Sequence, residues 1–80
     1  MEIKVLGPGC PNCQELERRV KQALLEANVE ATVTKVTDYA EIGKYIMATP
    51  GVVINEKVKH SGKPLPRAEQ IKEWIQEENQ

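Results

Sequence analysis

Eighty residues, 40% of them apolar, with a net charge of −1, make one small domain over residues 1–80, with a core built from Val, Ile, Leu and Ala because Phe is absent. Eleven basic against twelve acidic residues leave no excess positive charge to gather phosphates, so no nucleic-acid partner is expected. The longest aliphatic run, Val52-Val53-Ile54, falls far short of the roughly 20 apolar residues that span a bilayer, and Glu2 and Lys4 carry charge where a signal peptide is apolar; a soluble, cytoplasmic chain with no membrane partner is expected.

Ile3-Lys4-Val5-Leu6 reads as a strand, stopped by Gly7-Pro8-Gly9. A helix follows over about Pro11–Ala27. Leu16, Val20, Ala23, Leu24 and Ala27 recur at spacings of three and four and share one face, while Glu15, Glu17, Arg18, Arg19 and Lys21 cover the other side. Pro11 suits the first turn, where its missing N–H costs nothing, and Asn28 is the stop. Ala31–Val36 is β-branched and reads as a second strand. Asp38 and Glu41 have capping-box spacing and open a short helix over about Tyr39–Met47, with Ile42 and Ile46 as its apolar face and the two tyrosines at the core's edge.

Thr49-Pro50-Gly51 breaks the chain. Val52–Ile54 and Val58–His60 then flank Asn55-Glu56-Lys57 as a hairpin. Pro66 is placed at the start of the last helix, with Ile71, Trp74 and Ile75 on its buried face. Glu77 and Glu78 near its end oppose the helix dipole, so fraying is expected after Ile75. The order is β-α-β-α-β-β-α, an α/β domain whose first two strands are parallel across a helix.

The two cysteines, Cys10 and Cys13, sit at the turn into the first helix. A disulfide between them closes too short a loop to act as a staple, about 2 kcal/mol in the chain-entropy model. Such a pair is catalytic or metal-binding. Cys10, near the N-cap, faces the unsatisfied N–H groups and the positive dipole end, which favour its thiolate. Cys13 lies one turn on, expected to be more buried and less acidic. The asymmetry predicts thiol–disulfide exchange: Cys10 attacks a substrate disulfide, and Cys13 then attacks the Cys10 sulfur, leaving a Cys10–Cys13 disulfide. No resident cofactor is needed, and no metal site is assigned. The alternative is a soft-metal module, in which the same two thiolates hold Cu(I) or Zn. Known carriers with this motif run β-α-β-β-α-β and end in a strand, whereas this chain ends in a helix.

Gly7-Pro8-Gly9-Cys10-Pro11-Asn12-Cys13 after a strand, and Thr49-Pro50-Gly51 before a hairpin, resemble the small thioredoxin-like and glutaredoxin-like redox-active disulfide proteins of archaea and bacteria. The resemblance covers essentially the whole chain. It implies a thioredoxin-like fold: a four-stranded mixed sheet flanked by three helices, the first strand central, and Pro50 in cis beside Cys10. It also implies that the Thr49 backbone pairs with an extended substrate segment. Gly9 stands where typical thioredoxins carry Trp, and Asn12 where typical glutaredoxins carry Tyr. Gly9, Pro11 and Asn12 thus form the supporting loop. Implied partners are protein disulfides and a separate reductase, since the chain has no G-x-G-x-x-G and no room for a dinucleotide domain. A monomer is expected. Pro8, Pro11, Pro50 and Met47 or Ala48 are read as an apolar contact rim. Lys4 is read as a strand lysine with its stem on the surface, and His60 as an ordinary hairpin residue.

Overall fold

The computed structural model describes residues 1–79; Gln80, counted in the expected domain, lies outside them. The elements are β1 (Glu2–Leu6), α1 (Pro11–Ala27), β2 (Thr32–Val36), α2 (Tyr39–Ile42), β3 (Gly51–Ile54), β4 (Lys57–Ser61) and α3 (Ala68–Glu78). They form one mixed sheet in the order β2-β1-β3-β4. β1 runs parallel to β2 and antiparallel to β3, and β3 runs antiparallel to β4. This is the thioredoxin-like α/β arrangement, with β1 inside the sheet.

Alternation along the inner strands divides the core in two. Ile3 and Val5 of β1, with Val52 and Ile54 of β3, meet Leu16, Val20, Ala23 and Leu24 of α1 and Ile71 and Ile75 of α3. Leu6 and Val53 point to the other face, against Ile42 and Ile46. Ile71 and Ile75 are fully buried, each contributing roughly 1.5–3 kcal/mol of burial. Trp74 packs half-buried at the rim of the larger cluster and stacks on His60, whose Nε2 lies 2.9 Å from the Gly62 carbonyl. His60 therefore has a hairpin residue's surroundings.

Several boundaries differ from expectation. α2 ends at Ile42, not Met47: Gly43 caps it, and the chain continues as a turn that still delivers Ile46 to the core. Asp38 does cap it, accepting from the Ala40 N–H at 2.9 Å, but Glu41 pairs forward with Lys44 at 3.1 Å rather than reaching back. The hairpin turn has two residues, Asn55 and Glu56, both at positive φ, so Lys57 already belongs to β4. α3 starts at Ala68, and Pro66 stays outside it, held to α1 instead through its carbonyl, which accepts from Arg19 at 3.0 Å.

α3 also runs on to Glu78 instead of fraying after Ile75. The register slips between Val52 and Val53, leaving Lys59 out of the strand pairing, and Lys59 and Lys57 meet the Glu78 carboxylate at 3.0 and 3.3 Å. Two cations from β4 thus offset an unfavourable charge at the helix end. Tyr39, expected at the core's edge, is exposed, whereas Tyr45 is half-buried against the smaller cluster.

The carboxylates supply an acid-sensitivity prediction. Arg18, then Arg19, pull the Glu15 carboxyl down to about 2; Lys59 holds Glu78, and Lys4 holds Glu56, below the ordinary range. A carboxyl lowered in the folded state contributes stability above its unfolded value, lost as pH falls through the folded one. Melting temperature should be level above about pH 5 and fall towards about pH 2, less steeply in added salt because the exposed Glu56 and the partly exposed Glu15 are screened. Melts that do not change across that window would refute it.

Candidate functional site

The site is assembled where β1 ends and α1 begins. Gly7 extends the β1–β2 ladder by one bond, its N–H donating to the Val36 carbonyl at 2.9 Å. Gly9, at φ +98°, then turns the chain into the helix, a backbone shape that favours glycine. Cys10 is the N-cap, Pro11 occupies the first turn, and Asn12 sits half-buried beside it.

Cys10 and Cys13 are joined as a disulfide, with Cα atoms 5.0 Å apart. The two sulfurs have unequal surroundings. Cys10 Sγ, half-buried, accepts the Cys13 backbone N–H at 3.2 Å. Cys13 is only 5% exposed. A sulfur thus fills the capping position that a serine or aspartate oxygen usually fills, next to helix donors that favour negative charge. No acidic residue lies in the first turn of α1 to oppose them. Asn12 is not the donor to Cys10; the backbone of Cys13 is.

Thr49–Pro50 is a cis peptide bond, and so is Lys63–Pro64, which the sequence did not point to. Pro50 is buried, so it forms a wall of the site rather than part of an exposed rim; Pro8, Pro11, Met47 and Ala48 are the exposed members of that group. The Gly62 N–H donates to the Pro50 carbonyl at 2.8 Å, tying the proline to the loop after β4. Among the described residues, the Thr49 N–H and C=O make no backbone hydrogen bond. Lys4 plays no part here. It lies on the β1 face opposite Ile3 and Val5, its Nζ donating to Tyr45 Oη at 2.8 Å and paired with Glu56 at 2.7 Å, and both contacts raise its pKa. Its charged end is therefore engaged by Tyr45 and Glu56.

Two residues at the site carry no motif signal. Gly7 reads in sequence as a strand breaker. In the fold, a Cβ there would collide with Cys13 Sγ and lie 3.1 Å from Cys13 Cβ and 3.8 Å from Pro50 Cβ. Gly7 is therefore where strand, second cysteine and proline close on one another. Glu17 reads as part of a charged outer face, but its side chain is only 14% exposed. Only its spacing of four from Cys13 could have pointed to it. Among the described residues, no group of three or more His, Cys, Asp or Glu side chains is clustered as metal ligands.

Comparison with known proteins agrees with this geometry. The model of the thioredoxin domain matches residues 1–76. The chain is similar to a thioredoxin of Methanocaldococcus jannaschii, 39% identical over 73 residues that cover 91% of this chain and 84% of the relative. It is also similar to a thioredoxin of Methanothermobacter thermautotrophicus, 31% identical over 70 residues, covering 86% of this chain and 91% of the relative.

Proposed function

The chain belongs to the thioredoxin domain family, whose general activity is thiol–disulfide exchange, and on that footing we propose a specific division of labour between Cys10 and Cys13 in reducing protein disulfides. The observation that carries it is the asymmetry of the pair: Cys10 Sγ caps α1, while Cys13 is buried one turn behind. In the reduced protein the donors that meet Cys10 Sγ favour a thiolate there. That thiolate attacks one sulfur of the substrate disulfide; the Cys10–substrate bond forms, the substrate S–S bond breaks, and the departing thiolate takes up a proton. Cys13 then gives up its proton and attacks Cys10 Sγ. The internal disulfide forms and the second substrate thiol leaves. Two electrons pass from the dithiol to the substrate, and no resident cofactor takes part.

Thr49 and Pro50 are the substrate-binding residues in this reading. The support is that the Thr49 N–H and C=O have no backbone partner among the described residues, so an extended segment can pair with them. Gly9, Pro11 and Asn12 shape the loop that presents Cys10. A separate reductase restores the dithiol, and the working form is a monomer in the reducing cytoplasm. No described helix is long and apolar enough to cross a membrane.

Trapping tests the assignment. Cys13→Ser should accumulate a mixed disulfide between Cys10 and a protein substrate, because nothing resolves it; Cys10→Ser should accumulate none. A redox titration of the wild-type pair should give a two-electron couple between roughly −120 and −300 mV. Equal trapping by both variants would overturn the roles of the two sulfurs. A pair that never oxidises in that range, yet binds Cu(I) stoichiometrically, would favour the metal module.

A further inference from the structure

His60 is the last residue but one of β4, and its ring reaches past Ser61 to the peptide that follows Gly62. The Nε2 atom lies 2.9 Å from the Gly62 carbonyl oxygen. A carbonyl only accepts, so the proton of this bond sits on Nε2. Trp74 of α3 stacks on the ring, with centroids 6.3 Å apart and 29° between the planes, and so fixes the direction of that N–H. Gly62 is buried, and at φ +81° it has left the strand, so the ladder no longer holds its carbonyl. Among the described residues, no backbone N–H donates to that carbonyl either. Gly62 in turn meets the chain on both sides of Thr49. Its N–H donates to the Pro50 carbonyl at 2.8 Å, and a Cβ added to it would stand 3.3 Å from Ala48 Cβ.

We propose that His60 is a positioning residue for substrate binding: its Nε2–H fixes the Gly62 peptide, and Gly62 holds Ala48 and Pro50 so that the Thr49 N–H and C=O stay open to an extended substrate segment. The inference rests on the reading that Thr49 binds substrate through its backbone. His60 acts through Gly62 and not by touching the substrate. Without its donor, the buried Gly62 carbonyl loses its partner and the peptide turns to find another, which frays the bond to Pro50. The segment around Thr49 must then be ordered again each time a substrate pairs with it, and that cost falls on affinity. The sulfur chemistry is untouched, because Cys10 is set by the cap of α1. A disulfide with no peptide segment to pair therefore does not sense His60.

Two substitutions separate the donor from the ring. His60→Phe keeps an aromatic ring against Trp74 but has no donor; His60→Gln loses the ring but carries an amide N–H the same number of bonds from Cβ. Each pre-reduced protein is mixed with rising amounts of a synthetic peptide closed by one disulfide, and in parallel with bis(2-hydroxyethyl) disulfide, which has no peptide backbone. His60→Phe should raise the half-saturating peptide concentration about fivefold, with the limiting rate and the rate on the small disulfide unchanged. Hydrogen exchange at the Gly62 N–H should quicken by at least about tenfold in the same variant. His60→Gln should stay within about twofold of wild type in every measurement. An unchanged half-saturation or Gly62 exchange rate in His60→Phe, an equal loss in His60→Gln, or equal slowing on both disulfides would overturn the inference. Should a variant fail to fold, the ring nitrogen resonances of the wild-type protein decide: Nε2 protonated in the neutral ring is expected, and Nδ1 protonated in its place overturns the inference. The parent reading fails separately. If the Thr49 N–H exchanges as fast in the mixed disulfide of Cys13→Ser with the peptide as in the free protein, the backbone pairing is refuted whatever the His60 variants show.

Discussion

Cys10→Ser is expected to abolish disulfide turnover, by at least about a thousandfold, while leaving the fold as stable as the reduced wild-type protein. The two halves of this result have different causes. A serine hydroxyl is far less acidic than a thiol and forms no stable bond to a substrate sulfur, so the covalent route disappears and not merely its rate constant. Stability should hold because Cys10 is the N-cap of α1, its sulfur accepting the Cys13 N–H at 3.2 Å. Serine is among the best residues at that position, so the capping bond is kept or improved. Cys13→Ser should differ in the second half, losing stability. Its side chain is 5% exposed, and a hydroxyl placed there without a partner costs about 1–3 kcal/mol. Urea denaturation of the reduced proteins, alongside a turnover assay, measures both halves. Turnover by Cys10→Ser near the wild-type rate would mean that the cysteine pair does not act as described.

The second large effect is expected from one added methyl group. Gly7→Ala introduces a Cβ that collides with Cys13 Sγ and comes within 3.1 Å of Cys13 Cβ, with Pro50 Cβ at 3.8 Å on the other side. None of these neighbours can easily move aside: Cys13 is tied into α1 and to Cys10, and Pro50 is buried and bonded through its carbonyl to Gly62. The strain must be relieved by shifting β1 against α1. Overpacking of this kind costs about 1–3 kcal/mol, a large share of the stability of so small a domain. A displacement of about 1 Å at the sulfurs also costs on the order of 100-fold in rate. Gly7→Ala should therefore lose both urea resistance and turnover. Gly9→Ala offers a comparison, since a Cβ there meets nothing within 4 Å and only its positive φ resists substitution. If Gly7→Ala were as stable and as active as wild type, the close packing of strand end, cysteine and proline would have no role.

How much of the site is legible in the residues depends on the range of the interaction involved. The helix start, the proline at its first turn, the cysteine at its cap and the second cysteine one turn on all sit within four consecutive residues, so spacing alone locates them. The apolar spacing of Leu16, Val20, Ala23 and Leu24 likewise marks the buried face of α1, because one helix's geometry decides it. Glu17 shows where this stops. Along α1 it is one charged residue among several, and only when β2 delivers Lys35 does it become a largely covered, paired carboxylate lining the same cavity as Cys13. Tyr39 and Tyr45 make the same point. They lie six residues apart with equivalent chemistry, yet one is exposed and the other holds Lys4 and Glu56 together.

By itself, the order of residues determined the succession of strands and helices, the cysteine pair at the mouth of the first helix, and the break at Thr49-Pro50 before the hairpin. Each follows from local propensity, helical or strand period, or turn chemistry, which act over a few neighbouring residues. The tertiary structure decided what those rules cannot reach. The turn after α2 packs Ile46 against Gly51 of β3, and two lysines of β4 meet Glu78 where α3 runs past its expected end. Gly7 and Glu17 become part of the sulfur site for the same reason. Their partners, Pro50 and Lys35, are distant in sequence, and only the packed sheet and helices bring them together.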